Sequence, residues 1–137
     1  MKLAIVRNFL AALIMLAMCA SALISATQDE SKLLGDWRGD STCAATGTAC
    51  RDEKVVYHIA KIPGKPSYVS VSADKVVNGA AINMGTLEFS YDPNKQTLSC
   101  EYVQGVWRIT VDGNKMEGTL TRPDKTIFRR VTLKKEV

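Results

Sequence analysis

The 137-residue sequence has little of what catalytic and metal sites need. It contains one histidine, His58, and four cysteines, whose spacing is not that of a zinc site. No serine or cysteine can be placed beside His58, no carboxylates are spaced as a pair, and no glycine-rich phosphate loop precedes a helix. The sequence therefore predicts a protein that is not an enzyme, with no catalytic residues, no metal site and no cofactor.

Strong charge of either sign is also missing. The whole chain has 18 basic and 14 acidic residues, and its net charge is +4. Without the first 26 residues, which contain Lys2 and Arg7, 16 basic residues face 14 acidic ones. A surplus this small and dispersed does not predict a nucleic-acid partner.

Charged residues are absent from Phe9 to Ala26, a run rich in Leu, Ile, Ala and Met. Two basic residues precede the run, and small residues at its end suit cleavage after Ala22 or Ala26. This is the pattern of a signal peptide. We predict that residues 1–26 are a signal peptide and that residues 27–137 form a single exported domain, periplasmic or extracellular, without a stable membrane span.

Two alternatives to cleavage remain at this point. The apolar run is slightly long for a signal peptide, so it is also compatible with an uncleaved membrane anchor. Cys19 could carry a lipid, but Met18 before it is not the small residue that such sites require. The sequence therefore argues against a lipid-anchored form.

Three cysteines follow residue 26. Cys43 and Cys50 flank six small residues, and in an oxidising compartment this loop is expected to close as a disulfide. Cys100 is then left over. Our interpretation is a buried free thiol, and pairing between chains is the alternative.

Apolar residues recur with period two rather than 3.6, which predicts strands and no helix. Asn78-Gly79, Asp92-Pro93 and Asp112-Gly113 are turn signals between such segments. The fourth strand is predicted over about Met84 to Tyr91. Eight strands with short connections predict an all-β, eight-stranded antiparallel up-and-down barrel, with a two-sheet sandwich as the alternative.

Gly35-Asp36-Trp37 on the first strand and Arg129, or Arg130, on the last resemble the calycin group, which includes lipocalins and fatty-acid-binding proteins. In that group the tryptophan of Gly-x-Trp closes one end of the barrel, and a basic side chain from the last strand covers its indole. The resemblance therefore implies a contact between Trp37 and Arg129. It also implies the binding of small apolar molecules by a small exported barrel.

Four large side chains are candidates to line a pocket at the open end of such a barrel: Tyr57, Met84, Phe89 and Trp107. The first hypothesis is that the protein binds a small apolar or lipid-like ligand there. The alternative is an exported protein-interaction or inhibitor module, with a filled barrel, that acts through its loops. The loop between Cys43 and Cys50 would be its main epitope.

Overall fold

The computed structural model describes residues 30–47 and 49–137 of the chain. The predicted signal peptide, residues 1–26, lies outside this range. The chain divides into two units between Leu33 and Leu34. The described part of the first unit is one helical turn, in which the Leu33 amide donates to the Glu30 carbonyl at 3.0 Å. Across the described residues, every helical segment is too short or too polar to span a membrane.

The second unit is a closed barrel of eight antiparallel strands, as predicted. Each strand pairs with the next one in the sequence, and β8 pairs with β1. The two-sheet sandwich is therefore not adopted. The strands are β1 (Gly35–Cys43), β2 (Glu53–Lys61), β3 (Tyr68–Val77), β4 (Ala80–Asp92), β5 (Thr97–Tyr102), β6 (Gly105–Asp112), β7 (Lys115–Thr121) and β8 (Ile127–Lys135).

Trp37 lies at one end of the barrel among side chains that are fully buried. The Trp37 side chain is fully buried, as are Leu98, Met116 and Leu133. All four come from strand positions whose neighbours in the sequence point outward, so the period-two pattern produces this packing directly. We call this half of the barrel the closed end.

Gly39 allows the first and last strands to meet. A Cβ atom at this position would lie 2.0 Å from the carbonyl oxygen of Thr132 on β8. No side chain fits in that space, so the pairing that closes the barrel requires glycine here.

The predicted disulfide between Cys43 and Cys50 is present and links the end of β1 to the start of β2. Cys100 is a buried free thiol, and its burial raises the pKa of this group. The free form therefore agrees with the first of the two interpretations given above.

The fourth strand differs from the prediction. It begins at Ala80, four residues before Met84, because the Asn78-Gly79 turn returns the chain directly against β3. The Ala80-Ala81-Ile82-Asn83 segment lacks a clear β-type alternation, so the sequence pattern did not reveal it. Within residues 49–137, β4 pairs with β5 only through Ser90, Tyr91 and Asp92. Residues 80–89 consequently have no partner on that side, and we call this region the β4–β5 gap.

Candidate functional site

A cavity of about 310 Å³ lies inside the barrel beside the β4–β5 gap. It belongs to the end away from Trp37, which we call the open end and which carries the disulfide. Met84, Thr86 and Gln104 are lining residues that also reach solvent. The cavity is therefore accessible from outside between β4 and the turn after β5.

All four residues predicted to contact a ligand line this one cavity. Tyr57, Phe89 and Trp107 are buried and point inward by the alternation of their strands. Met84 reaches the cavity for another reason. It is the extra residue of a β-bulge, where the pairing of β3 with β4 shifts between Ala73 and Asp74. That these residues bind a ligand stays a prediction.

A second bulge adds an aromatic ring that the sequence did not predict. The pairing of β7 with β8 shifts between Leu120 and Thr121, and Phe128 is the residue of β8 without a partner on β7. Alternation would place Phe128 on the opposite face from Arg129, yet both line the cavity. The residue after Met84 has a φ of +115°, a conformation that favours glycine, so Gly85 marks the Met84 bulge in the sequence. We find no comparable signal for Phe128.

The remaining lining residues were also not predicted. Some are small or aliphatic, and others are polar. The first group is Val71, Ala73, Gly85, Leu87 and Leu120, and the second is Ser41, Glu53, Thr86, Tyr102, Gln104 and Arg129.

Arg129 is tied into the polar side of the cavity. Its Nη1 donates to Ser41 Oγ at 3.1 Å and its Nη2 donates to the Arg51 carbonyl at 3.0 Å. Nη1 also lies 3.5 Å from Glu53 Oε2, and both side chains are mostly buried. The guanidinium charge is therefore balanced inside the protein.

The position of Arg129 corrects the contact that the resemblance implied. The register of β1 with β8 places Arg129 opposite Cys43, six residues along β1 from Trp37, or roughly 20 Å. Trp37 is instead paired with Lys135, whose Nζ lies 5.7 Å from the centre of the indole. A basic group from the last strand does cover the tryptophan, but alternation alone could not distinguish between two residues of the same face.

Besides the ion pair of Arg129 and Glu53, the cavity contains uncharged polar groups. Burial raises the pKa of the Tyr57 phenol, so this group is uncharged at neutral pH. Tyr102 donates its hydroxyl hydrogen to Gln104 Oε1 at 3.2 Å, and burial raises its pKa as well. The cavity therefore combines apolar walls with a few uncharged hydrogen-bonding groups.

His58 lies outside the cavity, on the outer face of β2. Its Nδ1 lies 2.7 Å from Asp36 Oδ1, and its Nε2 lies 2.9 Å from Asp74 Oδ2. Both ring nitrogens thus face carboxylates rather than a hydroxyl or thiol that they could activate. The hydrogen bonds to Asp74 and then to Asp36 raise the pKa of His58, and the bonds from His58 and Asn83 lower the pKa of Asp74.

The part of the chain that the structure describes contains no cluster of three or more His, Cys, Asp or Glu side chains that could hold a metal ion. No protein-family model and no curated protein matches this sequence.

Proposed function

We propose that the protein is an exported, calycin-like barrel that binds a small apolar or lipid-like molecule in the open-end cavity and performs no chemistry on it. The observation that carries this proposal is the cavity itself. Its volume of about 310 Å³ is at the lower limit of the 300–1,000 Å³ that is common for small-molecule sites. Aromatic side chains from several strands surround it.

The lining chemistry supports an uncharged ligand or one with a small polar end. Transferring an apolar molecule from water into the cavity is favourable by roughly 25 cal/mol per Å² of buried apolar surface. The Arg129 guanidinium already has protein acceptors and the Glu53 carboxylate. A ligand therefore needs no charge of its own to balance the charged groups of the cavity.

Export is part of the proposal, and two features support it. The first 26 residues have the pattern of a signal peptide. The disulfide between Cys43 and Cys50 suits an oxidising compartment such as the periplasm or the extracellular space.

The proposal can be tested with the neutral fluorescent probe N-phenyl-1-naphthylamine. Ala73 lines the cavity, so Ala73→Leu places extra volume where the ligand would lie. We expect this variant to bind the probe at least about tenfold more weakly, which corresponds to 1.4 kcal/mol. Ala60→Leu is the matched control, because Ala60 is exposed on β2 and does not line the cavity. Equal binding by both variants would reject the cavity as the binding site.

A protein-interaction module is the second candidate, and the β4–β5 gap favours it. Residues 80–86 of β4 are exposed, carry no charge and have no partner on the β5 side within residues 49–137. Unpaired strand edges accept an added strand from another polypeptide. The sequence-based form of this hypothesis assumed a filled barrel. In this second candidate, the partner would instead bind the exposed edge of β4 beside the cavity.

Two variants separate the edge from the disulfide loop as the partner site. Ile82→Lys adds a charge to the exposed part of β4, and Cys43→Ser/Cys50→Ser releases the loop. We expect a partner cross-linked to the wild-type protein in the exported fraction to be lost with Ile82→Lys and kept with the cysteine variant. Unchanged cross-linking to Ile82→Lys would remove the edge from this account.

A further inference from the structure

A chain of side-chain hydrogen bonds crosses the outer surface of four neighbouring strands. It begins at Asp36 on β1, continues through His58 on β2 and Asp74 on β3, and ends at Asn83 on β4. Asn83 Nδ2 donates to Asp74 Oδ1 at 2.8 Å and to Ser72 Oγ at 3.0 Å. Every link in this chain lies within hydrogen-bonding distance.

The β4 end of this chain is attached to the cavity. The Gly85 amide donates to Asn83 Oδ1 at 3.0 Å, so Asn83 spans the bulge that contains Met84. Met84 and Gly85 both line the cavity beside the β4–β5 gap. Anything that displaces Asn83 therefore acts on the lip through which the cavity communicates with solvent.

The arrangement around His58 requires a proton. An imidazolium donates from both ring nitrogens, whereas a neutral imidazole donates from one and presents a lone pair at the other. Both nitrogens face carboxylate oxygens here, so only the charged form makes both bonds. The raised pKa of His58 agrees with this requirement.

The charged groups around His58 are few. β1 contributes Asp36 and β3 contributes Asp74, while Ser72, directly opposite His58 on β3, is uncharged. Arg38 and Lys54, two basic side chains of the same outer surface, are paired with Glu136 and Asp40. The two carboxylates therefore dominate the titration of His58.

Loss of the proton leaves His58 with one ring hydrogen for two carboxylates, which lie 2.7 Å from Nδ1 and 2.9 Å from Nε2. Neutral His58 can donate to Asp36 or to Asp74 but not to both. Asp74 keeps Asn83 as a donor. The bond between His58 and Asp74 is therefore expected to form only part of the time after deprotonation, and Asp74 is then freer to shift with Asn83.

We propose that Asp36, His58, Asp74 and Asn83 form a proton-dependent latch on the cavity lip. With His58 protonated, Asp74 and Asn83 hold the β4 bulge in place. After deprotonation the bulge loosens and the cavity exchanges its contents faster. The consequence for ligand exchange rests on the proposed function, whereas the effect on the bulge does not.

The test is an NMR pH titration of the ligand-free protein that follows the His58 ring and the Gly85 amide together. We expect both signals to titrate with one midpoint above that of an ordinary histidine, and Gly85 hydrogen exchange, corrected for its intrinsic pH dependence, to become several-fold faster above it. Asp74→Asn should lower the His58 midpoint and abolish the response at Gly85. Asp36→Asn should lower the midpoint and weaken that response, because the remaining hydrogen of neutral His58 then bonds the Asp74 carboxylate. Lys54→Gln, the matched control, lies on the same outer face of β2 outside this chain and should keep the response.

A Gly85 amide that stays constant while His58 titrates would overturn the latch, as would a response that survives in Asp74→Asn. The dissociation rate of N-phenyl-1-naphthylamine is measured in parallel and should rise several-fold across the same midpoint. Absence of probe binding with a responsive Gly85 would reject the proposed function but keep the latch. Probe binding with an unresponsive Gly85 would do the opposite.

Discussion

The two ends of this barrel are built from the same strands but differ in regularity. At the closed end the strands pair without interruption and bury Trp37, Met116 and Leu133 completely. At the open end two bulges, a disulfide and the β4–β5 gap interrupt the pattern, and a cavity takes the place of packed side chains. Regular alternation buries the side chains of the closed end, and departures from it create the cavity and its access to solvent.

The largest expected contrast is in the free energy of unfolding. Trp37→Ala removes a fully buried indole from the closed end and should cost about 3–5 kcal/mol. Met84→Ala at the open end should cost less than about 1 kcal/mol, because its side chain is 45% exposed. Urea denaturation at constant m-value measures both. Similar losses in the two variants would contradict the division into a packed and an open end.

The disulfide gives the open end part of its stability. Removing it with Cys43→Ser/Cys50→Ser should lower the free energy of unfolding by about 2.5 kcal/mol, from the entropy of closing an eight-residue loop. Probe binding should be unchanged in the folded variant, since neither cysteine lines the cavity. A large loss of binding without a loss of stability would show that the loop shapes the site.

Substitutions of Arg129 and Lys135, two of the four basic residues of β8, should also distinguish the two ends. Arg129→Met breaks a mostly buried ion pair and three hydrogen bonds and should cost about 2 kcal/mol. Lys135→Met removes a cation from the Trp37 face and should cost about 0.5–1 kcal/mol. In a Trp107→Phe background, only Lys135→Met should alter the Trp37 fluorescence. A change with Arg129→Met alone would restore the contact that the resemblance implied.

The smallest expected effect is the pH dependence contributed by His58. Its pKa is raised in the folded protein, so its stabilising contribution is complete below the unfolded-state value of about 6.5 and is lost as the pH rises through the folded value. The difference in unfolding free energy between the wild type and His58→Gln should shrink accordingly. It should stay below about 1 kcal/mol because the side chain is exposed. A difference that grows with pH would have the wrong sign.

Features that follow the regular alternation can be predicted from the sequence, and features that depart from it cannot. Alternation and turn residues predict the eight strands, the closed barrel and the inward positions of Tyr57, Phe89 and Trp107. They do not predict the Phe128 bulge, because a one-residue shift depends on pairing between strands. They also miss the early start of β4, because residues 80–83 lack a clear alternation. The register that places Lys135 rather than Arg129 over Trp37 is likewise a property of the closed barrel.

We propose that the open end binds a small apolar molecule, and NMR shift mapping with N-phenyl-1-naphthylamine is the test of this proposal. We predict saturable binding of one probe molecule, with shifts concentrated at Ala73, Phe89 and Trp107. The methyl groups of Met116 and Leu133 at the closed end should not move. An absence of saturable shifts, or shifts centred on Met116 and Leu133, would contradict the account.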